Sequence, residues 1–422
     1  MPPVNSATAR AQRRGGFGDA LLALAFSFVG LGNLILPPVA QDVLGVDYLI
    51  IAFGVLGLLI FFRIRRVVTS PQVWLWSALI PLGALPGFLV AGMNSYGSLK
   101  LFSFVTVFLL ALAASAFVDI ERGVAYTTRI TLSVAVGVSL LSLLLQETTV
   151  GGRATLFDLN PLGVSRVTGL AIVIGAIFAL QGKRNRPWYV LFAALGLIST
   201  SFTLSRGPLV SAFVALAVVL GLMLFVRQVR SSWIVLLVIG SAIVTWLAVW
   251  SGWFQFAEAF FRGDSGRGHL FPFALQQFLL NPLGIGWGSF FYAGDIAFES
   301  DDARYPHNLF LEFAVEGGVV ALVALVAALL FIARAASTAF VATKDPLVLA
   351  VIGIFIYALV NAQFSSDVTG NRMLWVSMAL AAALASYHRQ RARMAPTLAS
   401  DSDKPPTSDG RQASDRSRRG RG

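Results

Sequence analysis

Twelve apolar runs take up most of the chain, at about 17–37, 45–62, 73–93, 100–118, 124–145, 167–181, 187–204, 208–226, 233–251, 310–333, 346–363 and 373–387. Each approaches the ~20 residues that carry a helix across roughly 30 Å of hydrocarbon, although the runs at 167–181 and 373–387 are short. Charged residues make up 13% of the 422 positions, against about 25% in a soluble chain. A soluble fold of two or three domains is therefore excluded. The pattern predicts an all-α polytopic membrane protein with about 12 transmembrane helices and one large extracytoplasmic loop.

The basic residues orient the bundle. With a cytoplasmic N-terminus, most of the 32 lysines and arginines fall in segments on the inner side, as the positive-inside rule requires. Eight remain outside: Lys100, Arg153, Arg166, Arg206, Arg262, Arg267, Arg304 and Arg372. This divides the chain into a cytoplasmic segment 1–16, a membrane domain 17–387 and a polar tail 388–422, expected to be disordered and cytoplasmic. Residues 252–309 become a large outer loop. The +11 charge follows from topology, and a basic tail without interleaved aromatics argues against a nucleic-acid partner. Membrane lipids remain as partners of the apolar surface and the basic tail. With no cysteine and three histidines, neither thiolate chemistry nor a transition-metal site is expected, and no cofactor is implied.

The outer residues carry the chemistry, because a cation on that side needs a reason. Arg206, in TLSRGPLV, sits at a corner between two runs, where it either snorkels to the interface or clamps an anion. Arg267 opens RGHLFPFALQQFLL, an amphipathic segment suited to an interfacial helix, which Asn281-Pro282 ends. Gly284, Gly286 and Gly288 then alternate, letting backbone come close to another segment or a ligand. Asn308 is a plausible N-cap, which puts His307 at a helix N-terminus, suited to anions and to proton transfer. Glu312 and Glu316 share one face of that helix. They either orient His307, cap amides or hold a sugar hydroxyl, or else form a wet interfacial face. The run Glu299, Asp301, Asp302 lies in an irregular loop, where arginines could neutralise a diphosphate without metal. Arg153, Arg166 and Arg304 complete a basic outer face, for which a lipid-borne diphosphate is the natural ligand.

SRG at 205–207, Arg267 followed by NPLGIGWGSF, and HNLFLEFAVEGG at 307–318 together resemble the O-antigen ligase and polymerase superfamily. The resemblance covers about residues 150–320. Phe271 and its neighbours stand where many relatives have a tryptophan. It implies a membrane-embedded glycosyltransferase that moves a glycan from a polyprenyl diphosphate carrier, without metal or nucleotide sugar, to a glycan, lipid or protein acceptor. It also implies the bacterial cytoplasmic membrane. Carried onto this chain, Arg206 and Arg267 would hold the diphosphate and His307 would position or deprotonate the attacking hydroxyl. Arg153, Arg166, Arg304, Asn308, Glu312, Glu316, Gly284 and Gly286 would line the substrate site. Ligase and polymerase share these motifs. A flippase of lipid-linked glycans is the alternative from another class, disfavoured because the polar residues gather at the outer edge and not at mid-membrane.

Overall fold

A computed structural model describes residues 6–35, 48–65, 71–91, 94–145, 147, 155–157, 159–181, 185–228, 270–290 and 305–402. The described residues are helical with turns between and contain no strand. In chain order the helices are α1 (Ser6–Ile35), α2 (Tyr48–Phe62), α3 (Pro71–Ala91), α4 (Ser95–Ser115), α5 (Ile120–Leu145) and α6 (Pro161–Gln181). There follow α7 (Arg186–Phe202), α8 (Arg206–Phe225), α9 (Leu270–Leu280), α10 (Leu309–Thr343), α11 (Pro346–Asn361) and α12 (Arg372–Ser402). Five of these, α4, α5, α6, α8 and α10, are long and apolar enough to cross a membrane, and α11 is a shorter apolar helix. The run expected at 233–251 lies outside the described residues, as does most of the 252–309 loop.

Several helices run past the apolar stretches that foretold them. α6 begins six residues before its apolar run, because Pro161 needs no N–H partner in a first turn and Asn160 Oδ1 accepts from the Leu162 amide at 2.9 Å. α12 continues through His388 to Ser402, into the stretch expected to be an unstructured tail. At the α7–α8 corner, Leu204 takes a left-handed backbone (φ 52°), which turns the chain sharply enough for Arg206 to open the next helix.

The bundle is apolar on both sides of its wall. Leu89, Phe225, Leu144 and Phe61 are more than two-thirds exposed, as side chains facing lipid should be. α6 runs through the centre, buried on nearly every face from Gly163 to Ala179. Helices approach closely there: Gly196 of α7 lies against the Thr168 carbonyl, and hydroxyl pairs Thr168–Thr200 (2.7 Å) and Ser142–Ser199 (2.6 Å) cross between helices. In an apolar medium such small-residue contacts and hydroxyl bridges take over the role that hydrophobic burial has in water.

Polar contacts gather at the two ends. At one, the Asp19 carboxylate of α1 accepts from Arg63 Nη1 (2.7 Å) and from the Val118 (2.9 Å) and Asp119 (3.0 Å) amides, while Arg63 also donates to the Ala116 carbonyl. One carboxylate thus ties α1, the end of α2 and the α4–α5 turn. Asp19→Ala should leave a guanidinium and two amides without their acceptor, costing about 3–5 kcal/mol. A fall in the denaturation midpoint in detergent would register it, and an unchanged midpoint would show the node to be idle.

Candidate functional site

The other end is built around a broken helix. α10 starts with the cap foreseen from sequence: Asn308 is extended (φ −142°, ψ 120°) and its side chain accepts from the Leu311 amide at 3.0 Å. The helix then stops being helical at Gly318 (φ 75°, ψ −176°), separating the half-helix Leu309–Gly317 from the long remainder. The break strands backbone groups that an intact helix would pair. The glycine loop after α9 takes them up. Ile285 and Gly286 donate to the carbonyls of Val315 (2.9 Å) and Glu316 (3.0 Å), and Val319 donates to the Pro282 carbonyl (2.9 Å).

This explains the alternating glycines. Gly284, Gly286 and Gly288 all have positive φ (93°, 95° and 79°), and a Cβ on Gly284 would stand 2.5 Å from the Glu316 carbonyl oxygen. The close approach is therefore to α10. Between these glycines, Trp287 drops into the core: its indole donates to the Ala84 carbonyl of α3 at 2.8 Å, and its ring lies 4.7 Å from Phe104 and 5.2 Å from Phe313, centroid to centroid.

The Glu312–Glu316 face is neither wet nor interfacial. Both side chains are fully buried, and Lys100 of α4, also fully buried, stands 2.7 Å from Glu312 Oε1 and 2.5 Å from Glu316 Oε2. Glu316 also caps amides, accepting from Gly288 (3.0 Å) and Phe290 (3.2 Å). The Lys100 ammonium lies over the Tyr96 ring at 4.6 Å, and the Tyr96 hydroxyl donates to Asp367 at 2.6 Å. Asp367 further accepts from Thr369 and from the Gly370 amide (2.9 Å).

Asp367 belongs to the turn 362–371 between α11 and α12, where several of the expected site residues meet. Arg166, 8% exposed in the second turn of α6, donates through Nη2 to the Ser365 carbonyl at 2.6 Å. Leu309 donates to the Ala362 carbonyl (3.0 Å) and Asn308 Nδ2 to the Gln363 carbonyl (3.4 Å), which fixes the residues next to His307. Arg206 is half-buried as the first residue of α8, and its neighbour Gly207 faces Phe364, to which a Cβ would come within 3.2 Å. His307 is 2% exposed, packs its ring 4.4 Å from that of Tyr305, and is held at φ 55°. A left-handed non-glycine residue at a buried turn stores strain of the sort found at binding and catalytic positions. Arg153, Arg267 and Arg304 lie outside the described residues, as do Glu299, Asp301 and Asp302.

Tyr96 and Asp367 were not singled out from sequence, and Lys100 stood among the eight outer cations without a role of its own. Lys100 did carry a signal. It is a lone cation at the edge of an apolar run, on the side where cations are disfavoured, and it shares the inward stripe of Phe104, Val107 and Ala111.

Residues 190–326 match the family model for O-antigen ligase, in agreement with the superfamily that the motifs resemble. The matched stretch includes Arg206, Arg267, the glycine loop, His307 and both glutamates, and ends soon after the break at Gly318. A comparison with curated proteins finds no match. The match to this family model over about a third of the chain suggests glycan transfer in cell-surface polysaccharide synthesis.

The break itself is testable. Gly318→Ala should cost about 3 kcal/mol, since its Cβ would sit 2.3 Å from the Leu283 backbone at a φ that alanine resists. Gly221→Ala, in open space on α8, should be neutral or slightly stabilising. Equal midpoints for the two variants in a detergent melt would refute the loop-in-break arrangement.

Proposed function

We propose, from the O-antigen ligase match, that the protein transfers a glycan from a polyprenyl diphosphate carrier to an acceptor on the outer side of the bacterial cytoplasmic membrane. The observation that supports this reading most is the convergence on one ten-residue turn. Arg166 bonds to the turn, Arg206 opens the helix that abuts it, and the residues after His307 bond to its first carbonyls. Two cations and a histidine thus border a common turn, next to the N-termini of α8 and the half-helix, whose dipoles favour an anion.

In the proposed reaction, the acceptor hydroxyl attacks the anomeric carbon of the donor sugar and its proton passes to His307. The carbon–oxygen bond to the diphosphate breaks, and the carrier diphosphate leaves with the bonding pair. Arg206 and Arg267 would hold that diphosphate, and fixed guanidinium groups in a site poor in water stabilise the developing charge without reorganising. His307 as base would contribute about 10²–10⁴-fold in rate. Arg153, Arg166 and Arg304 would extend the anionic subsite. Metal is not required by this chemistry, because the arginines supply the charge. Asn308 holds the start of the half-helix, and Gly284 and Gly286 act through their packing on it.

A flippase is the second reading. It gains support from the helix break at Gly318 beside buried ionisable groups, a feature of transporter sites. Liposomes loaded with a polyprenyl-diphosphate oligosaccharide and EDTA separate the two. Wild type should form transferred or elongated glycan, while His307→Ala and Arg206→Ala should each lose about 10²-fold or more in rate. The product would distinguish ligase from polymerase. Movement of the lipid across the bilayer without new glycosidic bonds would favour the flippase, and equal product from all three proteins would overturn the roles given to these residues.

A further inference from the structure

We propose that Lys100 is a positioning residue for the transfer reaction, acting by setting the orientation of the half-helix Leu309–Gly317 that begins beside His307. The proposal rests on the glycan-transfer reading and adds to it a residue from outside the family match, 190–326.

The argument starts from the break. A continuous α10 would have its first turn oriented by the 25 residues Val319–Thr343 behind it. Gly318 removes that continuity, so contacts made by the half-helix itself must fix its direction. Its charged contact among the described residues is with Lys100, whose ammonium bridges Glu312 and Glu316, four residues apart on one face. The same Glu316 carboxylate holds the Gly288 and Phe290 amides. Lys100 therefore links three pieces that the chain leaves separate: α4, the half-helix and the glycine loop.

The bridge is fully buried, and this gives it directional force. A surface pair would be worth little, but here the ammonium and both carboxylates have no water to fall back on. The two acids are not equivalent. Glu316 is held by Lys100 and two amides, whereas the Glu312 carboxylate meets Lys100 at 2.7 Å and no second donor among the described residues. Moving or neutralising Lys100 would free the half-helix to tilt about Gly318, carrying His307 with it. A displacement on the order of 1 Å at a reacting group is enough to cost about 10²-fold in rate.

The test uses the full-length protein in liposomes and exploits its lack of cysteine. Leu283→Cys and Val319→Cys, both at exposed positions flanking the loop–helix contact, provide an oxidative crosslink that reports the loop seated in the break. Lys100→Met should lower turnover about 10²-fold, leave the KM for the donor within about threefold, and abolish the crosslink. Glu316→Gln keeps the size and an amide acceptor and should show the same pattern more weakly; it decides the matter if Lys100→Met fails to fold. Wild-type turnover with the crosslink intact would overturn the proposal, as would lost turnover with the crosslink retained. Should wild type itself transfer no glycan, the transfer reading fails, and the crosslink alone decides whether Lys100 orients the half-helix.

Discussion

Backbone amides cannot be left unpaired inside an apolar bundle, and that constraint shapes the whole functional end of this protein. Breaking α10 at Gly318 strands polar groups that water would satisfy in a soluble protein. The glycine loop supplies the partners, and to do so it must lie backbone to backbone against the helix, a distance that side chains forbid. From this follow the glycines at 284 and 286, the descent of Trp287 between α3 and α4, and the seating of Gly288 against the start of α4. A single break thus recruits α3, α4, α9 and the loop into one assembly.

The turn 362–371 completes the assembly from the opposite side. It offers carbonyls to Arg166, Leu309 and Asn308 and a carboxylate to Tyr96. The helices that begin at this end, α4, α6, α8, α10 and α12, direct their positive dipole ends toward it. Arg166 and Arg206 add two cations beside the turn. Lys100, Glu312 and Glu316 pair their charges in the buried interior beside it. The division is a physical one: Arg166 and Arg206 border the turn, and Lys100 is enclosed by acids.

Much of this was legible in the sequence because it is local. The apolar runs set the helices, Asn308 had the residue type and place of a cap, and Asn281-Pro282 closed the amphipathic segment. Alternating glycines announced a close backbone approach. The remainder depends on partners far apart in the chain. Glu312 and Glu316 showed their shared face through their spacing, but the group that meets them is more than 200 residues earlier, and charge alone does not tell a buried bridge from a wet face. Gly318 was hidden for another reason: inside an apolar run, a Gly-Gly pair is compatible with an unbroken helix, and only the loop that replaces its hydrogen bonds reveals the break. The start of α6 at Pro161 was hidden too, because it lies six residues before the apolar run that marks the helix.

Where the break falls decides what holds His307. Were α10 continuous, His307 would be fixed to the long remainder of the helix. With Gly318 nine residues inside the helix start, a tilt of the half-helix Leu309–Gly317 would leave Val319–Thr343 in its packing. The buried bridge from Lys100 then limits that adjustment, because tilting the half-helix separates charges that have no solvent to receive them. The strain at His307, left-handed and buried, fits a residue held in place by contacts on both sides, the turn at 362–363 before the helix and the bridge behind it.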